Sequence, residues 1–156
     1  MANPKPIRLL ILGTGGMAGN HAESFAAIPG VTLVAGVDTR PAQLTAFCDQ
    51  HGIANRFDSL DAALAWGAFD AVTNVTPDAA HYATTLPFLA AGKHVLIEIP
   101  MADSIQDAEK LVKLQKETGV VAMAGHVRRF NPSHQWVNKR IRAGELKLQQ
   151  MQQLQP

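Results

Sequence analysis

The chain of 156 residues is long enough for one domain with a hydrophobic core, or for one domain and a fragment of another. Hydrophobic residues make up 47% of it and charged residues 17%, which favours a folded protein and excludes a disordered one. The net charge of +1 gives no signal for nucleic acid or for an anionic membrane, and the apolar runs are shorter than the ~18 residues of a membrane span. With no signal-peptide pattern, and with Cys48 as the single cysteine and no metal-ligand spacing, we expect a cytoplasmic protein without a metal.

Apolar runs alternate with helical patterns along the chain. The first half reads, in order, as strand IRLLILG, helix NHAESFAAI, strand VTLVAGVD, helix PAQLTAFCDQHG and helix SLDAALAW. The second half reads as strand FDAVTNVTP, helix AAHYATTLPFLAAG, strand KHVLIEI, helix SIQDAEKLVKLQKETG, strand VVAMAG and a last helix that ends at Gly144. Asp103 and Ser104 are alternative capping residues for the penultimate helix. Strands that are apolar throughout, each followed by a helix, predict an α/β fold with a doubly wound parallel sheet.

The turn after the first strand carries a glycine motif. In LILGTGGMAGNH, the spacing G-x-G-x-x-[GA] follows a strand and opens a helix. The first glycine allows the tight turn, the second lets the backbone approach a pyrophosphate, and the alanine keeps helix and strand close. The residues predicted to contact a dinucleotide here are Gly13, Gly15, Gly16, Met17 and Ala18.

An acid and an arginine follow the second strand. Asp38 lies about 20 residues past the glycine motif, where a carboxylate can bind the ribose 2′-hydroxyl of NAD. Arg40 could stack on the adenine, hold the 2′-phosphate of NADP, or remain a solvated charge. Because Asp38 would repel a phosphate, the sequence slightly favours NAD over NADP.

A second group of residues follows the later strands. In open α/β sheets, ligands bind beyond the carboxyl ends of the strands, so we expect these residues to face one crevice opposite the glycine turn. His21, inside the first helix, is expected to support packing. The candidates for cofactor contact are Thr76, Pro77, His81, Glu98 and Ile99, and the candidates at the last strand end are His126, Arg128 and Arg129.

These motifs together resemble the Gfo/Idh/MocA oxidoreductases. The resemblance is carried by GTGGMAGNH, TPDAAH, AAGKHVLIEIP and the arginine and phenylalanine after the sixth strand, in register from about residue 7. It implies an N-terminal Rossmann domain that binds NAD or NADP, followed by a C-terminal α/β domain that binds substrate and usually forms a dimer. The family's fifth strand normally ends Glu-Lys-Pro, with the lysine assisting proton transfer near the nicotinamide. This chain has Glu98-Ile99-Pro100 instead.

A narrower resemblance accounts for the isoleucine. VLIEIPMADS and GHVRRFNPSHQWV are similar to the hydroxymuconate-semialdehyde dehydrogenases of aromatic-acid breakdown, a branch that also has Glu-Ile-Pro at this strand end. It implies oxidation of the cyclic hemiacetal of a tricarboxylated ring-cleavage product, with hydride passing to NAD(P). The branch is associated with NADP, whereas Asp38 favours NAD.

The resemblance also suggests roles for the residues near this strand end. Ile99 cannot carry a proton, so His126 becomes the candidate base, with Glu98 as a second candidate catalytic residue. Arg128 and Arg129 would bind substrate carboxylates, since guanidinium groups form paired hydrogen bonds with them.

In the family, the final segment AGELKLQQMQQLQP would lead into the substrate domain. The resemblance therefore implies a Rossmann domain over residues 1–144 and, over residues 145–156, the start of a C-terminal domain that this chain lacks. Two functions stay open: the cofactor-binding half of a dehydrogenase, with little turnover alone, or a stand-alone dinucleotide-binding module without turnover. The expected partners are a dinucleotide, a small-molecule substrate, and either a second copy or a complementing C-terminal domain, but no nucleic acid or membrane.

Overall fold

The computed structural model describes residues 5–147, which form two compact units that divide between Gly125 and His126. The strands are β1 (Ile7–Leu12), β2 (Val31–Val37), β3 (Asn55–Phe57), β4 (Ala71–Asn74), β5 (His94–Ile97) and β6 (Ala122–Ala124). The helices are α1 (Gly16–Ala26), α2 (Pro41–His51), α3 (Leu60–Trp66), α4 (His81–Ala90), α5 (Ile105–Thr118) and α6 (Pro132–Arg142). Short 3-10 helices cover Asp78–Ala80 and Val127–Phe130.

The first unit is a parallel sheet with the strand order β3-β2-β1-β4-β5-β6. This is the order of a Rossmann fold, so the predicted α/β class is confirmed. Leu12 pairs with Val37 on one side and with Asn74 on the other, and Asn74 pairs with Ile97. The strands thus end level with one another, and the residues that follow them lie along one edge of the sheet.

The core of the first unit has two layers because both faces of the sheet are covered. Along β1, Leu10 and Leu12 join one buried cluster, while Leu9 and Ile11 join the other. This alternation follows from the two-residue period of a strand. The first cluster contains side chains of α3, α4 and α5, and the second contains side chains of α1 and α2. The four residues Leu9 to Leu12 are therefore all buried, two in each layer, whereas Ile7 and Arg8 at the start of the strand are exposed.

Several element boundaries refine the sequence expectation. Ser104 caps α5, because its hydroxyl accepts a 3.1 Å hydrogen bond from the amide of Asp107. Hydrophobic patterning does not mark β3, since two of its three residues are Asn55 and Arg56.

The predicted domain boundary at residue 144 stays a prediction, and most of the predicted tail lies outside the described residues. Within residues 5–147, every helix is too short or too polar to cross a membrane.

Candidate functional site

The turn between β1 and α1 lies against the turn that follows β4. Gly13 has a φ of +85°, and a Cβ atom there would lie 2.8 Å from the carbonyl oxygen of Val75 and 2.9 Å from the amide nitrogen of Thr76. These backbone atoms cannot rotate away as a side chain would. Gly13 is therefore required for the two turns to approach each other, beyond its conformational freedom.

The next residues of the motif leave open space above the turn. A Cβ atom on Gly15 would meet only the side-chain amide of Gln43, at 3.9 Å, and one on Gly16 would meet nothing within 4 Å. Met17 is 51% exposed, whereas Ala18 is fully buried between α1 and the sheet. Because Gly15 offers no side chain to cap α1, the first amides of the helix are available to an anion. The turn thus leaves open space beside the N-terminus of α1, and contact with a pyrophosphate there stays a prediction.

Thr14, between the two glycines of the turn, is held by side chains of neighbouring elements. Its amide and its hydroxyl each donate a 2.8 Å hydrogen bond to Oδ2 of Asp38, and its carbonyl oxygen accepts a 2.7 Å bond from Gln43. The turn is therefore fixed by its own protein contacts.

The carboxylate of Asp38 also binds Arg40. The backbone amide and Nε of Arg40 donate to Oδ1 at 2.9 and 3.1 Å, and its Nη2 donates to Oδ2 at 3.2 Å. Burial acts to raise the pKa of Asp38, but the hydrogen bonds from Arg40 and Thr14 together outweigh it and hold that pKa well below its ordinary value. The Asp38 side chain is 5% exposed, whereas that of Arg40 is 62% exposed.

This geometry bears on the predicted ribose contact. A carboxylate has about four acceptor positions, and Thr14 and Arg40 already approach Asp38 with five donor groups. A ribose hydroxyl that binds Asp38 would therefore take the place of the Arg40 guanidinium. The sequence revealed the acid but not its role inside the glycine turn.

The turn after β4 is held by a buried asparagine. Oδ1 of Asn74 accepts hydrogen bonds from the amide and the hydroxyl of Thr76, at 3.2 and 2.7 Å. Its amide nitrogen, which has two hydrogens, lies within hydrogen-bonding distance of the hydroxyls of Thr84 and Thr85 and of the carbonyl oxygen of His81, so that one hydrogen is shared between two acceptors. The turn that presents Thr76, and Pro77 after it, is thus anchored to the start of α4.

Glu98, which follows β5, is held at both carboxylate oxygens. Oε1 accepts a 2.8 Å hydrogen bond from Nε2 of His21, and Oε2 accepts one of 3.0 Å from the amide of Ile99. The other ring nitrogen of His21 lies 2.9 Å from the hydroxyl of Thr73, which completes a chain when the hydroxyl donates. Ile99 itself is 42% exposed. This geometry makes Glu98 an anchor of the turn, and its catalytic role stays a prediction.

Two histidines have more specific contacts than the sequence suggested. His21, expected only to support packing, links α1 to the ends of β4 and β5. His81, expected near the rim of the site, is fully buried and contacts two backbone carbonyl groups. The partners of His21 lie 52 and 77 residues away along the chain and Pro100 lies 19 residues from His81, so no local pattern could reveal these contacts.

The second unit contains His126, Arg128 and Arg129, all of which are exposed. The carbonyl oxygen of His126 accepts a 3.0 Å bond from the amide of Arg129, and the carbonyl oxygen of Arg129 accepts one from the side chain of Gln135. Asn131 caps α6 by accepting from the amide of Ser133. Their predicted meeting with Thr76 and Glu98 in one crevice stays a prediction.

The family model of the Gfo/Idh/MocA oxidoreductases, described as having an NAD-binding Rossmann fold, matches residues 7–126. The chain belongs to this family. It is 40% identical over 145 residues to a 4-carboxy-2-hydroxymuconate-6-semialdehyde dehydrogenase from Sphingobium sp., covering 93% of this chain and 46% of that protein. It is 31% identical to an NADP-dependent scyllo-inositol 2-dehydrogenase from Bacillus subtilis, covering 86% of this chain and 41% of that protein.

Solved structures of dehydrogenases have the same fold. The WlbA dehydrogenase from Bordetella pertussis, in complex with NADH and UDP-GlcNAcA, matches with a TM-score of 0.86 and 32% identity, covering 92% of this chain and 42% of that one. A scyllo-inositol dehydrogenase from Lactobacillus casei, with bound NAD(H) and scyllo-inositol, matches with a TM-score of 0.83 and 27% identity, covering 90% and 42%. The chain thus spans less than half the length of these relatives.

Proposed function

We propose that this chain is the cofactor-binding half of an NAD(P)-dependent dehydrogenase. The observation that carries the proposal is the glycine turn. Gly13 can only be glycine, whereas Gly15 and Gly16 face open space beside the N-terminus of α1. Protein packing alone would not call for a glycine at Gly15, but the close approach of a pyrophosphate would.

The choice between NAD and NADP depends on Asp38 and Arg40. The negative charge of Asp38 favours NAD, since it opposes a 2′-phosphate, and we keep NAD as the first choice. NADP is the second candidate because Arg40 already pairs with Asp38 and presents a largely exposed guanidinium at the same place. For NAD, Arg40 has to leave the carboxylate; for NADP, it would remain and bind the phosphate.

The proposed reaction is oxidation of a hydroxyl or a cyclic hemiacetal, with a carboxylated aromatic ring-cleavage product as the proposed substrate. When bound, the dinucleotide would accept hydride from the carbon that carries the hydroxyl. A ring nitrogen of His126 would take the hydroxyl proton, and the guanidinium groups of Arg128 and Arg129 would bind carboxylates. The 40% identity with the semialdehyde dehydrogenase supports this substrate class. A second copy or a complementing domain would supply the remaining wall of the site.

The alternative is a dinucleotide-binding module without turnover. The support for it is that the contacts that hold the glycine turn, those of Gly13, Thr14 and Asp38, bear on binding of a dinucleotide alone. In that case binding of the dinucleotide would itself be the function.

Calorimetric titration with NADH and with NADPH tests the proposal. We expect heat of binding from at least one cofactor, and a larger affinity for NADH. In Arg40→Ala, NADPH affinity should fall about tenfold, which is the loss of one charge-assisted contact, while NADH affinity should not fall. No heat and no thermal shift with either cofactor would refute the proposed function. Tighter binding of NADPH by the parent protein would overturn the choice of NAD alone.

A further inference from the structure

The first residue of α4, His81, is a fully buried imidazole with a backbone carbonyl at each ring nitrogen. Nδ1 lies 2.6 Å from the carbonyl oxygen of Pro100, and Nε2 lies 2.9 Å from the carbonyl oxygen of Thr76. Pro100 belongs to the turn after β5, and Thr76 to the turn after β4. One side chain therefore joins two turns at the carboxyl edge of the sheet.

The two contacts have a consequence for the protons of the ring. A carbonyl oxygen can only accept a hydrogen bond, and a neutral imidazole has a single N–H. In a neutral His81, the lone pair of the unprotonated ring nitrogen would therefore face a lone pair of a carbonyl oxygen, at either Thr76 or Pro100. Only the imidazolium form donates at both positions. The 2.6 Å distance to Pro100 is also shorter than the usual 2.9–3.0 Å (approximate mode) of a neutral N–H···O bond.

Other contacts hold the turn after β4 against the ring. The amide and the hydroxyl of Thr76 both donate to Asn74, and the carbonyl oxygen of His81 accepts from the same asparagine. Burial of a charge is costly unless hydrogen bonds compensate for it. Here two backbone dipoles point at the ring, so the compensation is part of the fold.

We infer that His81 is a positively charged positioning residue. It joins the turns after β4 and β5 and so forms the binding site for the nicotinamide half of the cofactor. The inference rests on the proposed function. In a Rossmann fold each half of the sheet binds one nucleotide, and the glycine turn and Asp38 belong to the half formed by β1 to β3. The turns that carry Thr76 and Ile99 belong to the other half, where the nicotinamide nucleotide lies.

The protonation state of the His81 ring can be measured directly in the parent protein, without any substitution. Long-range proton–nitrogen NMR spectra of the six histidines at neutral pH distinguish a ring with two protonated nitrogens from either neutral tautomer. We expect both ring nitrogens of His81 to carry protons. A ring with one protonated nitrogen would overturn the inference, and this measurement does not depend on the folding of a variant.

The positioning role is tested by comparing NADH with ADP-ribose, which lacks the nicotinamide. In His81→Gln, whose side chain has donors on one nitrogen only, we expect NADH affinity to fall about tenfold while ADP-ribose affinity changes by less than about twofold. His51→Gln, on the last turn of α2, is the matched control and should change neither affinity.

Three results would overturn the positioning role: unchanged NADH binding in His81→Gln, an equal loss of both ligands, or the same loss in His51→Gln. If the parent protein binds ADP-ribose but not NADH, the binding site for the nicotinamide half is absent. The inference then fails, while the proposed site at the glycine turn is retained. If the parent binds neither ligand, the proposed function itself fails. Should His81→Gln not fold, the NMR measurement on the parent protein decides the charge on which the role depends.

Discussion

His21 on α1 and Glu98 after β5 are 77 residues apart in the chain, and their side chains are joined by a 2.8 Å hydrogen bond. The imidazole is 13% exposed and the carboxylate 18%, so water competes weakly for either partner. The bond connects the helix that begins at the glycine turn to the turn that carries Ile99. The two ends of the proposed cofactor site are therefore mechanically linked through one polar contact.

Glu98→Gln should lower the free energy of unfolding by about 1–2 kcal/mol, because it replaces two hydrogen bonds to a charged carboxylate with weaker neutral ones and requires the His21 ring to change tautomer. Chemical denaturation measures the change. Glu23→Gln, at an exposed position of the same helix as His21, is the matched control and should be neutral. Equal stability of Glu98→Gln and the parent protein would contradict the anchoring role.

Gly13→Ala should destabilise the fold by at least about 1–3 kcal/mol, the usual cost of a non-glycine residue at positive φ. The added Cβ would also meet backbone atoms of Val75 and Thr76 at 2.8 to 2.9 Å. Gly15→Ala, the same substitution two residues later, has open space and should change stability little. Thermal denaturation of the two variants checks the contrast. Similar melting temperatures would show that the turns can separate at no cost.

Gly15→Val should abolish binding of NADH while the protein still unfolds cooperatively. A Cβ atom at this position finds room in the free protein, where its nearest neighbour is the Gln43 amide at 3.9 Å, but the valine side chain would fill the proposed space of the pyrophosphate. Calorimetry and a thermal melt separate the two effects. Unchanged affinity would mean that this turn does not bind a phosphate.

The stability contributed by Asp38 should be lost in acid. Its folded-state pKa lies below the ordinary value of about 3.9, so the contribution is complete above that value and declines as the pH falls toward the folded-state pKa. In Asp38→Asn, the decline below about pH 4 should be shallower, and stability at neutral pH should be lower. The remaining decline includes Asp70, whose pKa the hydrogen bond from Arg8 also lowers.

Urea denaturation at a series of pH values measures this dependence. Asp103→Asn, at an exposed position before the cap of α5, is the control and should keep the parent's acid slope. If Asp38→Asn loses stability with acid as steeply as the parent does, then Asp38 is not the group that titrates.

The 156-residue polypeptide alone should show turnover well below about 1 s⁻¹ with a muconate semialdehyde hemiacetal or with simple polyols. Hydride transfer needs an oriented substrate and a placed base, and both contribute orders of magnitude to the rate. The measurement is NADH or NADPH formation by the pure chain. Turnover at ordinary enzymatic rates would refute this expectation and would make His126→Ala the next experiment, since loss of activity there would identify the base.

The α/β class and the position of the glycine turn were predictable because they follow from local signals: apolar runs, glycine spacing and an acid at a fixed distance. The contacts that hold the site were not. β3 has too few apolar residues to show a hydrophobic pattern. It lies at the edge of the sheet, where it pairs with β2 alone, and so it does not need the continuous apolar sequence of a central strand. The roles of His21 and His81 arise from atoms that meet only after the sheet has formed, so composition and periodicity carry no trace of them.

The position of β1 in the sheet has a consequence for synthesis of the protein. β2 leaves the ribosome soon after β1, but the partner of the other edge of β1 is β4, which begins only at Ala71. During that interval the nascent chain presents an open strand edge whose residues, Leu9 to Leu12, are all buried in the finished protein. Unpaired apolar edges of this kind invite pairing with other chains. Slow elongation between β2 and β4 would therefore lengthen the period in which this edge of the newborn chain is open to such pairing.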